Sequence, residues 1–272
     1  MPYKDRLRTG RAARWAAVIL ILQIAGPLGY GYAASDVNPE DFKVELTGAA
    51  WLVDSSGIIR ANGTPVDLVT DLGARQQQPT FFGRLVIKPG RKHRIVIEGT
   101  PFRLSGYNTV DRTIVYHGQT FDVHQTLRSS AELNYFFAGY QYDFVSGPMG
   151  HLGVSVGGAY LGSTGTITSV ESGTTATKTE TFGLPLAGLE GRVFPIHGHK
   201  LLMIEGDIRG MDVGGYGHYI EASGNGGINF GHFAILAGYR TVDPDIHSSS
   251  SSNPAGVNVH LKGPIFSAQW RW

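Results

Sequence analysis

Cysteine is absent from the 272 residues, which excludes a disulfide framework and any thiolate chemistry. After residue 35 no apolar run approaches the about 18 residues that mark a membrane helix. No basic patch points to nucleic acid. No glycine motif that would cradle phosphate, no metal-finger spacing and no G-x-S-x-G elbow occurs. These absences lead to an expectation of no cofactor, no metal and no enzymatic activity.

The first 35 residues read as an address. Lys4, Arg6, Arg8, Arg11 and Arg14 precede the apolar core Trp15 to Leu22, and the small-residue stretch "GYAAS" follows. That order of charge, hydrophobe and small residues is the order of a secretory signal peptide, with cleavage expected between residues 33 and 36. The expected organisation is therefore a leader, 1–35, and one mature domain, 36–272. The whole chain holds 23 Lys+Arg and 22 Asp+Glu; taking off the leader's five bases and one acid leaves 18 and 21. The mature chain is near −3, and the slight excess of positive charge belongs to the leader.

Glycine is plentiful, 38 residues, about twice ordinary usage. In a strand, glycine marks places where another group approaches the backbone closely. The hydrophobicity alternates over segments 42–53, 80–88, 93–104, 127–145, 151–162, 181–194, 201–213, 216–230, 233–242 and 257–272. Tight turns such as "PGRK" and "SGPMG" join alternate pairs, and connections such as 54–79, 105–126 and 163–180 join the others. Short turns at one rim and long loops at the other are the pattern of a transmembrane β-barrel, which must close because lipid tolerates no open edge. The expected fold is an all-β, antiparallel, up-and-down transmembrane barrel of about 10 strands, with 8 or 12 as the alternatives.

Parity sorts side chains into two faces. On "YFFAGYQYDF", Phe136, Ala138, Tyr140, Tyr142 and Phe144 share one face, and Gln141 and Asp143 the other. The same reading aims Arg94, Glu98, Asp143, Glu190 and Arg192 at the lumen. It also aims Glu205, Asp207, Arg209, Glu221 and Arg240 inward, together with Ser223, Asn225, Asn229, Gln269 and Arg271. Glu190 and Arg192 are expected to meet Glu205, Asp207 and Arg209 across a hairpin. Such a set of both signs either fills a narrow barrel as paired charges or lines a small wet pore. Eight strands are filled by their own side chains and sixteen leave a channel, so ten lies near the filled end.

The last seven residues, "FSAQWRW", place Phe266, Ala268, Trp270 and Trp272 on one face. Amphipathic rings suit the membrane interface. This closing strand resembles that of bacterial outer-membrane β-barrel proteins, and "DLG" (71–73) and "GYQYDF" (139–144) resemble stretches of small porin-like barrels. Many members of that family end in Phe, so the terminal Trp is a departure. The resemblance implies a place in the bacterial outer membrane. It also implies that Phe266, Trp270 and Trp272 serve as a signal read by the barrel-assembly machinery, with Tyr140, Tyr142 and Phe144 as interface aromatics. The expected partners are the lipid bilayer, that machinery and small solutes. The expected role is porin-like passage of small solutes or a passive structural one.

Two other classes stay open. A lipid- or peptide-modifying hydrolase would find its nearest constellation in "DPDIH", where Asp243 and Asp245 with His247 could activate water or hold a divalent cation; Asp-Pro is equally turn chemistry. A loop-mediated binding protein would use 54–79, 105–126 and 163–180. His197 and His199 lack a third ligand nearby, and His218 and Glu221 lie on opposite parities. His117 and His124 flank a hairpin expected to pair 113–116 with 120–123.

Overall fold

The computed structural model describes residues 38–61, 64–74, 77–196, 200–212, 214, 217–247 and 255–272. The expected leader and the pair His197/His199 lie outside them. Ten long strands carry the fold: β1 (Val44–Ala61), β3 (Gln77–Gly90), β4 (His93–Thr109), β7 (Thr126–Gly147), β8 (Gly150–Ser169), β9 (Thr175–Val193), β10 (Leu202–Asp212), β11 (Gly217–Asn229), β12 (Phe233–His247) and β13 (Ala255–Arg271). Three short ones, β2 (Val66–Asp67), β5 (Ile114–Tyr116) and β6 (Gln119–Phe121), lie in the connections. Each long strand pairs antiparallel with its predecessor, and β13 pairs with β1 from Glu45↔Arg271 to Ala61↔Ala255. The sheet is a closed, ten-stranded, up-and-down antiparallel barrel.

Alternation divides every wall. Outward positions carry Leu46 and Leu52 on β1, Phe81 and Ile87 on β3, and Val154, Val156 and Tyr160 on β8, all exposed. Phe136, Tyr140, Tyr142 and Phe144 stand outward on β7, and Phe266, Trp270 and Trp272 on or just past β13. About five alternate outward positions per strand make the apolar belt, roughly 25 Å tall for strands tilted as in outer-membrane barrels. Beyond it, toward the end away from the termini, the outward residues turn polar. Arg103 pairs with Glu132 there at 3.3 Å, and Thr164, Thr166 and Thr168 meet Thr179, Thr177 and Thr175 at 3.0–3.2 Å.

Those threonines correct one expectation. Residues 163–180 are mostly strand: β8 and β9 continue as a paired ribbon and turn only at 170–174. β-branched Thr suits a pleated surface, and cross-strand Thr pairs stabilise it. The segment "DPDIH" is likewise the end of β12, with Asp243 and Asp245 on its outward face and Oδ1 of Asp243 lying 2.9 Å from Nδ1 of His260 on β13. The 113–123 hairpin forms one residue out of the expected register, pairing Ile114↔Phe121 and Tyr116↔Gln119. His117 and Gly118 both have positive φ (46° and 79°), the two-residue turn whose twist matches a hairpin.

Candidate functional site

The lumen is the region where any passage, binding or chemistry inside this barrel would occur. All the inward candidates named from parity sit in it: Arg94, Glu98, Gln141, Asp143, Arg192, Arg209, Glu221, Asn229, Arg240, Gln269 and Arg271 are buried, and Glu190, Glu205, Asp207, Ser223 and Asn225 are partly so. The interface aromatics Tyr140, Tyr142, Phe144, Phe266, Trp270 and Trp272 all point outward.

At the end bearing the tight turns, a short segment before β1 folds under the barrel and inserts Glu40. Its carboxylate lies 2.8 Å from Arg94, 3.3 Å from Arg192 and 3.3 Å from Nδ1 of His151. Phe42 lies beneath the cations Lys88, Arg94 and Arg271, at 4.5–6.0 Å. Arg192 then reaches Glu45 at 2.8 Å and Glu205 at 2.9 Å, and Arg271 donates to Glu45 at 2.6 Å. Arg94 closes the layer on Asp143 at 2.8 Å.

A second layer spans the barrel above it. Arg209 bridges Glu98 at 2.7 Å and Glu221 at 3.2 Å, and Arg240 bonds Glu221 at 2.7 Å. Tyr135 donates to Glu221 at 2.9 Å and stacks on Tyr219. Register sets Glu190 opposite Asp207, two like charges that would repel. Arg84 of β3 crosses the lumen to Glu190 and also reaches Glu98 at 3.4 Å. Of the expected hairpin meeting, Arg192–Glu205 forms, whereas Glu190 and Arg209 find partners across the barrel.

Among the described residues, the two layers hold seven cations, Arg84, Lys88, Arg94, Arg192, Arg209, Arg240 and Arg271, which face eight carboxylates of Glu40, Glu45, Glu98, Asp143, Glu190, Glu205, Asp207 and Glu221. Both ring nitrogens of His151 face carboxylates, Glu40 and, at 3.8 Å, Glu190. Nearly complete pairing is what buried charge requires, since an unpaired ion in this setting costs several kcal/mol. Between the layers lies a cavity of about 30 Å³, bordered by Asn225, Asp207 and Arg192, room for a water or two.

Above the charges the filling becomes apolar. Arg209 lies 4.4 Å over Phe137 and Arg240 4.5 Å over Phe82. From there Trp51, Phe102, Leu161, Leu184 and Leu261 lead to the far mouth in one buried cluster. Two connections fold back into that mouth: Val66, Leu68 and Leu72 from the first, and Val110, Ile114, Tyr116 and Phe121 from the second, all buried in the same cluster. Arg112 clamps the two together through Asp71. Burial pushes the Asp67 carboxyl up, but the N–H groups of Thr70 and Val69 outweigh it and hold this group below the usual carboxylate range.

Glycine makes the filling fit. A Cβ on Gly157 would stand 2.7 Å from the ring of Phe137, and one on Gly188 would stand 2.3 Å from Arg209 Cγ. Gly157→Leu and Gly188→Leu are therefore expected to destabilise the barrel, overpacking typically costing about 1–3 kcal/mol. Gly183→Leu, with nothing within 4 Å, should be neutral. The temperature at which the folded band disappears on unboiled gels gives the comparison.

Parity missed Arg84, Lys88, Glu45 and His151, although Arg84 and Lys88 share the parity of Phe82 and Val86, and Glu45 that of Thr47 and Ala49. It had no means to find Glu40, which precedes any strand.

No known family model matches the sequence, and no curated relative does. Among solved structures, the outer membrane protease OmpT from Escherichia coli superposes with a TM-score of 0.54 at 10% identity, over 85% of this chain and 97% of that one. The translocator domain of the autotransporter NalP from Neisseria meningitidis gives 0.49 at 13% identity, over 97% of both chains. Ail of Yersinia pestis gives 0.40 at 10%, over 85% and 99%. Identities this low leave the activities of those proteins behind and speak to architecture: the chain has the fold of a bacterial outer-membrane β-barrel.

Proposed function

We propose that this protein is a closed, non-conducting and non-enzymatic outer-membrane barrel, a rigid structural element that presents its polar far end outside the cell. The tight turns and both ends of the barrel domain face the periplasm in this reading, as in other barrels with that loop pattern. Its partners are the lipid bilayer and the barrel-assembly machinery. One observation carries the proposal: the lumen is occupied in series by the Glu40 segment, two layers of paired charge, an apolar core and two inserted connections. Porin-like passage of small solutes would need those layers to part together. A hydrolase reading would rest on Asp243 and Asp245 with His247, but the two carboxylates stand on the outward face of a paired strand rather than in a closed cleft.

Purified barrel in planar bilayers is expected to show no conductance steps above the lipid background, and liposomes containing it should not swell in small sugars. Arg209→Ala should also stay silent, because Arg84, Arg240 and the apolar layer still block the bore. Steady single-channel openings in the wild type, or a clear rise with Arg209→Ala, would establish a charge-gated pore instead.

A further inference from the structure

Much of the strong positive charge near the tight-turn rim is turned inward and neutralised; Lys43 and Lys200 stand singly without an ion pair among the described residues, and one turn carries two such cations side by side. The β3–β4 turn holds Arg91 and Lys92 exposed, and neither has a carboxylate partner among the described residues. They border an open groove of about 600 Å³ together with His93, Tyr142 and Ser146. No acid lines it. The nearest in sequence, Asp143, points into the barrel and is held by Arg94.

The groove is organised around these cations. Lys92 Nζ stands 6.0 Å from the Tyr142 ring centre, and His93 packs against both Tyr140 and Tyr142 at 5.6–5.9 Å. His93 Nδ1 bonds the Tyr140 hydroxyl, and the Ser146 hydroxyl donates to the Arg91 carbonyl at 3.0 Å, tying the turn to β7. The site also sits at the edge of the apolar belt. His93 and Tyr142 are register partners, and the exposed Ile95, Tyr140 and Phe144 continue from it along the wall. Two cations without a carboxylate partner, beside the Tyr142 ring and opening onto an apolar wall, match a phosphate head whose acyl chains run down that wall.

We propose that this groove binds the headgroup of an anionic glycerophospholipid of the adjacent leaflet. The site rests on the reading of the belt as lipid-facing. An anionic lipid gains over a zwitterionic one because the latter's ammonium opposes Arg91 and Lys92.

The test uses the full barrel in nanodiscs of mixed phosphatidylglycerol and phosphatidylethanolamine, released for native mass spectrometry. Wild type is expected to retain phosphatidylglycerol roughly tenfold over phosphatidylethanolamine, with the preference shrinking in high salt. In R91Q/K92Q it should fall toward parity. Failure of the belt reading would show separately, as a barrel that does not enter nanodiscs. An inserted wild type retaining both lipids equally overturns the site, and so does a variant that keeps the preference. Should the double variant fold poorly, R91Q and K92Q singly, with the wild-type salt series, give the same decision.

Discussion

Arg192→Ala is expected to lower the temperature at which the folded barrel converts to the unfolded form by roughly 10 °C, the largest loss from any single lumen residue. Arg192 is shared by Glu40, Glu45 and Glu205 at 2.8–3.3 Å. Truncation leaves three buried carboxylates facing one another with a cation gone, and breaking a buried pair from one side costs about 3–5 kcal/mol. A domain of this size shifts by about 2–4 °C per kcal/mol. The loss should be partly reversed in the double variant Arg192→Met/Glu205→Gln, because a cation and a carboxylate leave together while Glu45 keeps Arg271 and Glu40 keeps Arg94. The outer pair Arg103–Glu132, with side chains 79% and 52% exposed, supplies the contrast: Arg103→Ala should change stability by less than about 1 kcal/mol. Heat-modifiable migration across a temperature series measures all three. A shift of only a degree or two for Arg192→Ala would show that the charged layer is hydrated and contributes little.

Deletion of Trp270–Trp272 is expected to abolish most folded barrel in cells. The seam between β1 and β13 closes the cylinder, and its last rungs use these residues: Lys43 and Val44 donate to the Trp272 carbonyl at 2.8 and 3.0 Å, and Trp272 donates back to Val44. An open edge in lipid strands several such groups without partners. The deletion also removes Arg271, the partner of Glu45, so point variants are needed to isolate the rings. Trp272→Phe should be tolerated and Trp272→Asp should lower the yield, since an interface position suits an aromatic and rejects a carboxylate. Comparison with refolding into detergent micelles separates two roles. A defect confined to cells marks recognition by the assembly machinery, and an equal defect in both marks the seam itself. Wild-type levels of folded protein for the deletion in cells would remove the C-terminal strand from both roles.

The barrel and its strand number were legible because one rule, alternate residues to alternate faces, acts on every strand. The same rule placed Arg94, Glu98, Asp143 and Glu221 inside. What it cannot supply is who meets whom. Arg84 finds Glu190 across the bore, and Arg209 finds Glu98 on β4, more than a hundred residues away in sequence. Such partners depend on barrel diameter and strand stagger, quantities fixed only on closure. The polar ribbon 163–180 reads as a loop because Thr, Ser and Gly are frequent in loops as well as tolerated in strands; repeated Thr at alternate positions is the sign of a strand there. The inserted connections carry Val66, Leu68, Ile114 and Phe121, whose apolar character in a supposed solvent-facing loop was the available hint of a plug.

That threonine ribbon has a consequence for how the cell surface meets this protein. β7, β8 and β9 run for 22, 20 and 19 residues, against 11 for β10, so the rim slopes steeply from a tall wing to a low side. At about 3.3 Å per residue and a tilt near 40°, the wing rises roughly 25 Å past the belt, nearly a second membrane thickness. Its backbone is paired along that height, which denies a protease the extended single strand it must grip. Enzymatic shaving of intact cells should therefore spare the most prominent part of the molecule, and antibodies raised against whole cells should favour its threonine-studded flank.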